Sequence, residues 1–102
     1  MTLDDAWNVF SINPNKIRDE LSSGSLKEKL QVAEKRLLTI KTISKKVMSI
    51  HHPDKNLDDL ESAERFNRTK KASDMITLEL ENVISILKSK IESSSGPFIM
   101  RF

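Results

Sequence analysis

The residues best suited to chemistry or recognition form one short run, His51-His52-Pro53-Asp54-Lys55-Asn56. Its imidazoles donate, accept or bind metal, its carboxylate can pair with an arginine, and Pro53 fixes the backbone φ while removing a donor. A metal site built on His51, His52 and Asp54 lacks converging ligands, because adjacent side chains beside a proline point apart. The chain has no Cys and no third His to complete a zinc shell. General acid–base catalysis lacks a companion nucleophile, and with two Gly in the whole chain there is no Gly-rich phosphate loop. The residue types therefore favour presentation of a stiff polar loop to a partner. The expectation is a protein that is not an enzyme and needs no cofactor or metal.

Composition narrows the setting. The 102 residues are 37% hydrophobic, 31% charged and 5% aromatic, enough for one small core. No apolar run approaches a membrane span, and Met1–Phe10 has no signal-peptide pattern, so a cytoplasmic location is the default expectation. The net charge of +2 conceals an uneven distribution. Lys27, Lys29, Lys35, Arg36, Lys41, Lys45, Lys46 and Lys55 are opposed over that stretch by Glu28, Glu34 and Asp54. Such a face either keeps a helix soluble or meets an acidic partner. Nucleic acid is disfavoured as that partner, since no aromatics interleave the lysines and no recognition motif accompanies them.

The loop must be held by its flanking elements, and these read as helices throughout. Thr2 ahead of Leu3-Asp4-Asp5 opens a short first helix that Asn13-Pro14 ends, and Asn13 then caps a further turn or two to Leu21. Ser25-Leu26-Lys27-Glu28 has capping-box spacing and starts a long helix. Leu26, Leu30, Ala33, Leu37, Ile40, Ser44 and Val47 recur in steps of four and three along it, and Pro53 closes it. Asp58 with Glu61 resembles another cap. The helix after it, about residues 59–92, is expected to kink near Ser73–Thr77 and to stop at Ser93-Ser94-Ser95-Gly96-Pro97. Trp7 and Phe10 are expected to pack the first helix across the long pair, with Phe66, Met48 and Met75 in the core and Lys16 and Arg18 in solvent. The chain divides into one helical domain, residues 1–96, and a short apolar tail, 97–102.

His-Pro-Asp after a basic amphipathic helix, with Phe66 and Ala72 at fitting distances beyond it, resembles the J-domain (DnaJ-like) family. The segments 44–56 and 61–76 look like that family's second helix, loop and third helix, and Trp7-Asn8-Val9-Phe10-Ser11-Ile12 is similar to its first helix and turn. Ser44 stands where the family often has an aromatic, His51 where it often has Tyr. The resemblance implies an all-α, J-domain-like antiparallel helical hairpin with a short N-terminal helix packed on it. It implies a co-chaperone module that binds a DnaK-type heat-shock chaperone and stimulates its ATP hydrolysis. The partner-binding residues it implies are His52, Pro53, Asp54, Lys55 and Asn56 in the loop, with Lys41, Lys45 and Lys46 on the second helix.

Both arms are longer than a minimal J-domain needs. If Val47 lies opposite Phe66, an antiparallel register pairs Leu37 with Ile76, Ala33 with Leu80, Leu30 with Val83 and Leu26 with Leu87. Every position is apolar, which predicts that both helices lengthen together at the end away from the loop. That extension offers a surface for a client or scaffold protein. The alternative function is accordingly a helical protein–protein interaction module in which chaperone binding has been lost.

Overall fold

The computed structural model describes residues 1–52, 54 and 57–94. Four helices follow one another: α1 (Leu3–Val9), α2 (Pro14–Ser22), α3 (Leu26–Ile50) and α4 (Leu60–Ser94). Among the described residues there is no strand, and no helix is long and apolar enough to cross a membrane.

Local capping chemistry explains most of the boundaries. Thr2 and Asp5 form a reciprocal capping box at the start of α1, and Ser25 and Glu28 form another at the start of α3. Asn13 caps α2 through its side chain to the Asn15 amide, with Pro14 in the first turn where its missing N–H costs nothing. The end of α1 differs from the expected Asn13-Pro14 stop. The Ile12 amide donates to the Trp7 carbonyl and the Ser11 amide to that of Asn8, with Ser11 at φ +59°. This Schellman-type cap ends the helix earlier, at the cost of a non-glycine residue in left-handed geometry. α3 likewise ends at Ile50, ahead of Pro53, with the His51 amide donating to the Val47 carbonyl.

The two long helices lie along each other and carry the molecule's length. The chain measures 63 × 29 × 19 Å, and its radius of gyration is 17.3 Å. A globular chain of this size would have about 13 Å. Ala33 and Ile40 from α3 share one buried cluster with Ala72, Ile76 and Leu80 from α4; Leu37, Met75 and Val83 pack against it. Ala33 and Leu80 therefore meet in one core, as an extension of both arms requires. Leu87 is buried, whereas Leu26 and Leu30 are half-buried.

Midway along the interface the Ser73 hydroxyl donates to the Ser44 hydroxyl at 3.1 Å. A strict register through Val47 and Phe66 would set Ser44 opposite Thr69, so the observed partner lies one turn further from the loop. A knob in a helix pair touches a hole spanning about one turn, which accommodates both neighbours. This bond also gives buried Ser73 a partner, and α4 runs unbroken through the expected kink at 73–77.

α1 and α2 cover one side of the hairpin. Trp7, 3% exposed, joins the central cluster together with Ala6 and Ile17, and Phe10 packs against it half-buried. Arg36 on α3 clamps Glu20 on α2 through two bonds of 3.0 and 2.8 Å. Arg18 is 55% exposed as expected of a solvated residue, yet it is tied to Asp4 at 2.8 Å.

The Arg36 guanidinium holds the Glu20 carboxyl below its ordinary range, and capping hydrogen bonds do the same for Asp5, Glu28 and Asp59. A folded-state pKa below the unfolded one contributes stability above the unfolded value and loses it as pH falls through the folded value. Urea midpoints should thus decline as pH drops past about 4.3. Glu20→Gln should be less stable than wild type at neutral pH and show a shallower decline; parallel profiles would contradict the role given to the Arg36 clamp.

Candidate functional site

The segment joining α3 to α4 begins with two histidines held in different ways. Ser62 is 5% exposed; its amide donates to Asp59 Oδ1 at 3.1 Å and its hydroxyl to Oδ2 at 2.9 Å. His51 Nδ1 lies 3.1 Å from the same hydroxyl oxygen. One hydroxyl carries one proton, and Asp59 accepts it, so His51 must donate through Nδ1–H. The result is a clasp from the last turn of α3 through Ser62 to Asp59, which also caps α4. Hydrogen bonds from Ser62 hold the Asp59 carboxyl below its ordinary range. The expected cap at Asp58 with Glu61 is thus shifted by one residue.

His52 takes the opposite tautomer. The Asp54 amide donates to its Nδ1 at 3.1 Å, which leaves the ring proton on Nε2. The Asp54 carboxylate is 3.7 Å from the same nitrogen and 88% exposed, so it is presented to solvent. The His52 ring meets Phe66 edge-on, with centroids 5.3 Å apart and planes at 78°. That geometry sets the electropositive rim of one ring against the face of the other.

Beside this pair lies a shallow groove of about 360 Å³ lined by Lys45, Met48, Ser49, His52 and Phe66. Phe66 and Met48, expected in the core, are half-buried here and lie outside the central cluster, whereas Met75 packs against that cluster. Helical geometry explains the grouping. At about 100° per residue, Lys41, Lys45, Met48 and His52 fall on one stripe of α3 and its extension.

The structure therefore brings Lys45 and His52 to one groove, with Asp54 bonded to His52. Lys41 lies on the same stripe, one turn further from the loop. Lys46 is exposed but about 100° around the helix from Lys45. Pro53, Lys55 and Asn56 lie outside the described residues, as does the tail from 97 to 102. Among the described residues no three His, Asp or Glu side chains converge as a metal would require. What the arrangement can do is offer a carboxylate, an oriented imidazole and a lysine to a partner, over an apolar floor of Met48 and Phe66.

The clasp escapes sequence reasoning. Its signal is an Asp59-x-x-Ser62 spacing that Asp58-x-x-Glu61 overlaps. Asp59→Ala should lower stability, as loss of an N-cap does, read as a fall in the melting temperature. It should also raise hydrogen exchange at the Ser62 amide, while unchanged exchange there would contradict the clasp.

Comparison with protein-family models, with curated proteins and with solved structures returned no match for this chain.

Proposed function

We propose that the chain is a J-domain-like co-chaperone module that engages a DnaK-type ATPase through the loop after α3 and the exposed stripe of that helix. The supporting observation is the grouping of Lys45 and His52 in one groove, with Asp54 directed to solvent beside them. The J-domain-like reading of the fold fits a hairpin of two long helices with His-Pro-Asp at their junction and a short first helix anchored by Trp7.

The activity so proposed is a contact, with the bond-breaking step carried out by the chaperone. Asp54 supplies a carboxylate for a partner arginine, where bidentate pairing is strong and directional. His52 is oriented by Phe66 and by the Asp54 amide before any partner arrives, which reduces the ordering cost of docking. Lys41 and Lys45 favour approach of an acidic surface, and that contribution weakens as salt screens it.

The test is single-turnover ATP hydrolysis by DnaK-type chaperones with and without the full chain. Acceleration by the wild-type chain is expected. Its absence with several such chaperones would remove the co-chaperone reading and leave that of a helical interaction module.

A further inference from the structure

A groove of about 780 Å³ lies where α1 meets the loop end of the hairpin. Val9 from α1 and Val47 from α3, both half-buried, form its apolar part. α4 supplies a cationic edge through Arg65 and Arg68, with Thr69 beside them. Positions three and four residues apart share one side of a helix, so these three residues form a single patch. The groove has no lining residue in common with the one that holds Lys45 and His52. Val47 and Met48, one in each groove, stand about 100° apart around α3.

Two features of the patch point to a ligand. Thr69 is 5% exposed, yet its hydroxyl has no hydrogen-bond partner among the described residues. No sealed side-chain oxygen among them lacks a partner, so that hydroxyl keeps an opening, and its side chain lines this groove. The second feature is uncommitted charge. Arg68 is exposed and forms no ion pair among the described residues. Arg65 has one 3.7 Å pair with Glu61, in which both groups are more than half exposed. Such a pair contributes little and gives way to a better-placed anion. Asp5, the carboxylate on the α1 side, already accepts from the Thr2 amide at 3.0 Å. The charge left to a ligand is therefore positive.

The layout also discriminates among anions. A free phosphate or carboxylate would meet two exposed guanidiniums in water, where screening leaves little attraction. An anion that arrives with an apolar neighbour does better. Its body covers Val9 and Val47 and excludes water from the arginine contacts, as an apolar centre with a polar rim requires. The Thr69 hydroxyl adds one donor beside the arginines, suited to a carbonyl or carboxylate oxygen.

We propose that this groove binds a short acidic peptide segment of another protein, with a carboxylate on Arg65 and Arg68 and an apolar side chain against Val9 and Val47. This binding does not rest on the co-chaperone reading, and its test needs no chaperone.

The test is fluorescence anisotropy of a dye-labelled peptide alternating glutamate with leucine, titrated with the full chain, together with amide NMR. Saturable binding is expected, weaker at high salt, with shifts at Asn8, Val47 and Thr69 and none at Leu38 or Ile84. Arg68→Glu should weaken binding about tenfold or more, as loss of a charged hydrogen bond does. Thr69→Val keeps the shape of the side chain and should weaken binding about threefold. Both variants should keep wild-type helicity by CD. Absence of saturable binding overturns the proposal, and so does equal affinity for a lysine–leucine or a glutamate–serine peptide. Inorganic phosphate that produces the same shifts at the same concentrations overturns it too, by assigning the groove to a free anion. Wild-type affinity in either folded variant has the same consequence.

Discussion

Asp54→Asn is expected to abolish stimulation of a DnaK-type ATPase while leaving the fold intact. The carboxylate is 88% exposed, and the group bonded to His52 Nδ1 is the Asp54 main-chain amide, which the substitution leaves in place. Far-UV CD and melting should therefore stay close to wild type, within about 0.5 kcal/mol of stability. Function should suffer far more. Removing one member of a charge pair buried on docking typically costs 2–5 kcal/mol, or about 30-fold and upward in affinity. His52→Gln should have a similar functional effect with a small loss of stability, since the edge-on contact with Phe66 goes with the ring. A surface-plasmon and ATPase comparison of the two variants with wild type checks this. Stimulation by Asp54→Asn equal to that of wild type would remove the loop from the proposed mechanism.

Trp7→Ala should bring the largest loss of stability of any change considered. The indole is 3% exposed and joins the cluster that includes Ile40, Ile76 and Leu80, the largest fully buried side chains. Truncating an aromatic at such a site costs about 3–5 kcal/mol through lost transfer energy and the cavity left behind. At about 4–8 °C per kcal/mol for a domain near 100 residues, melting should fall by more than ten degrees. Leu38→Ala, on the uncovered side of the hairpin, serves as the control and should shift melting little. A Trp7→Ala variant that melts within a few degrees of wild type would mean that α1 is an appendage. The hairpin would then be stable without it.

Local signals in the sequence proved informative wherever the physics is local. Thr2, Asn13 and Ser25 cap helices because an oxygen two or three residues from an amide needs no tertiary partner. The stripe of Leu26, Ala33, Leu37 and Ile40 foretold which side of α3 would be covered, with Ser44 correctly placed on it. Where two signals overlapped, the choice failed by a residue, as at Asp58 and Asp59. The kink expected near Ser73–Thr77 is absent: α4 runs unbroken there, and the Ser73 hydroxyl finds its partner in Ser44 across the interface.

The illegible features are those that depend on distant segments. Arg36 and Glu20 are 16 residues apart, and nothing in either neighbourhood signals that α2 folds back on α3. Phe66 reads as core by residue type, yet it lies outside the central cluster and backs the His52 ring. The division of the lysines is intermediate in this respect. Spacing alone separates Lys46 from Lys41 and Lys45, but the relevance of that separation depends on where α4 lies.

The clasp of His51, Ser62 and Asp59 also bears on the order in which the chain folds. It closes the shortest connection between the two long helices, where the entropy lost on bringing the arms together is least. Contacts of low sequence separation cost least entropy to close, so assembly is expected to begin beside this turn and to reach Leu26 and Leu87, the most distant pair, last. The segment that carries the proposed recognition residues would then double as the nucleation point of the hairpin. Substitutions at His51, Ser62 or Asp59 should then change the rate of folding, whereas those at the adjacent His52 and Asp54 should act on the proposed docking.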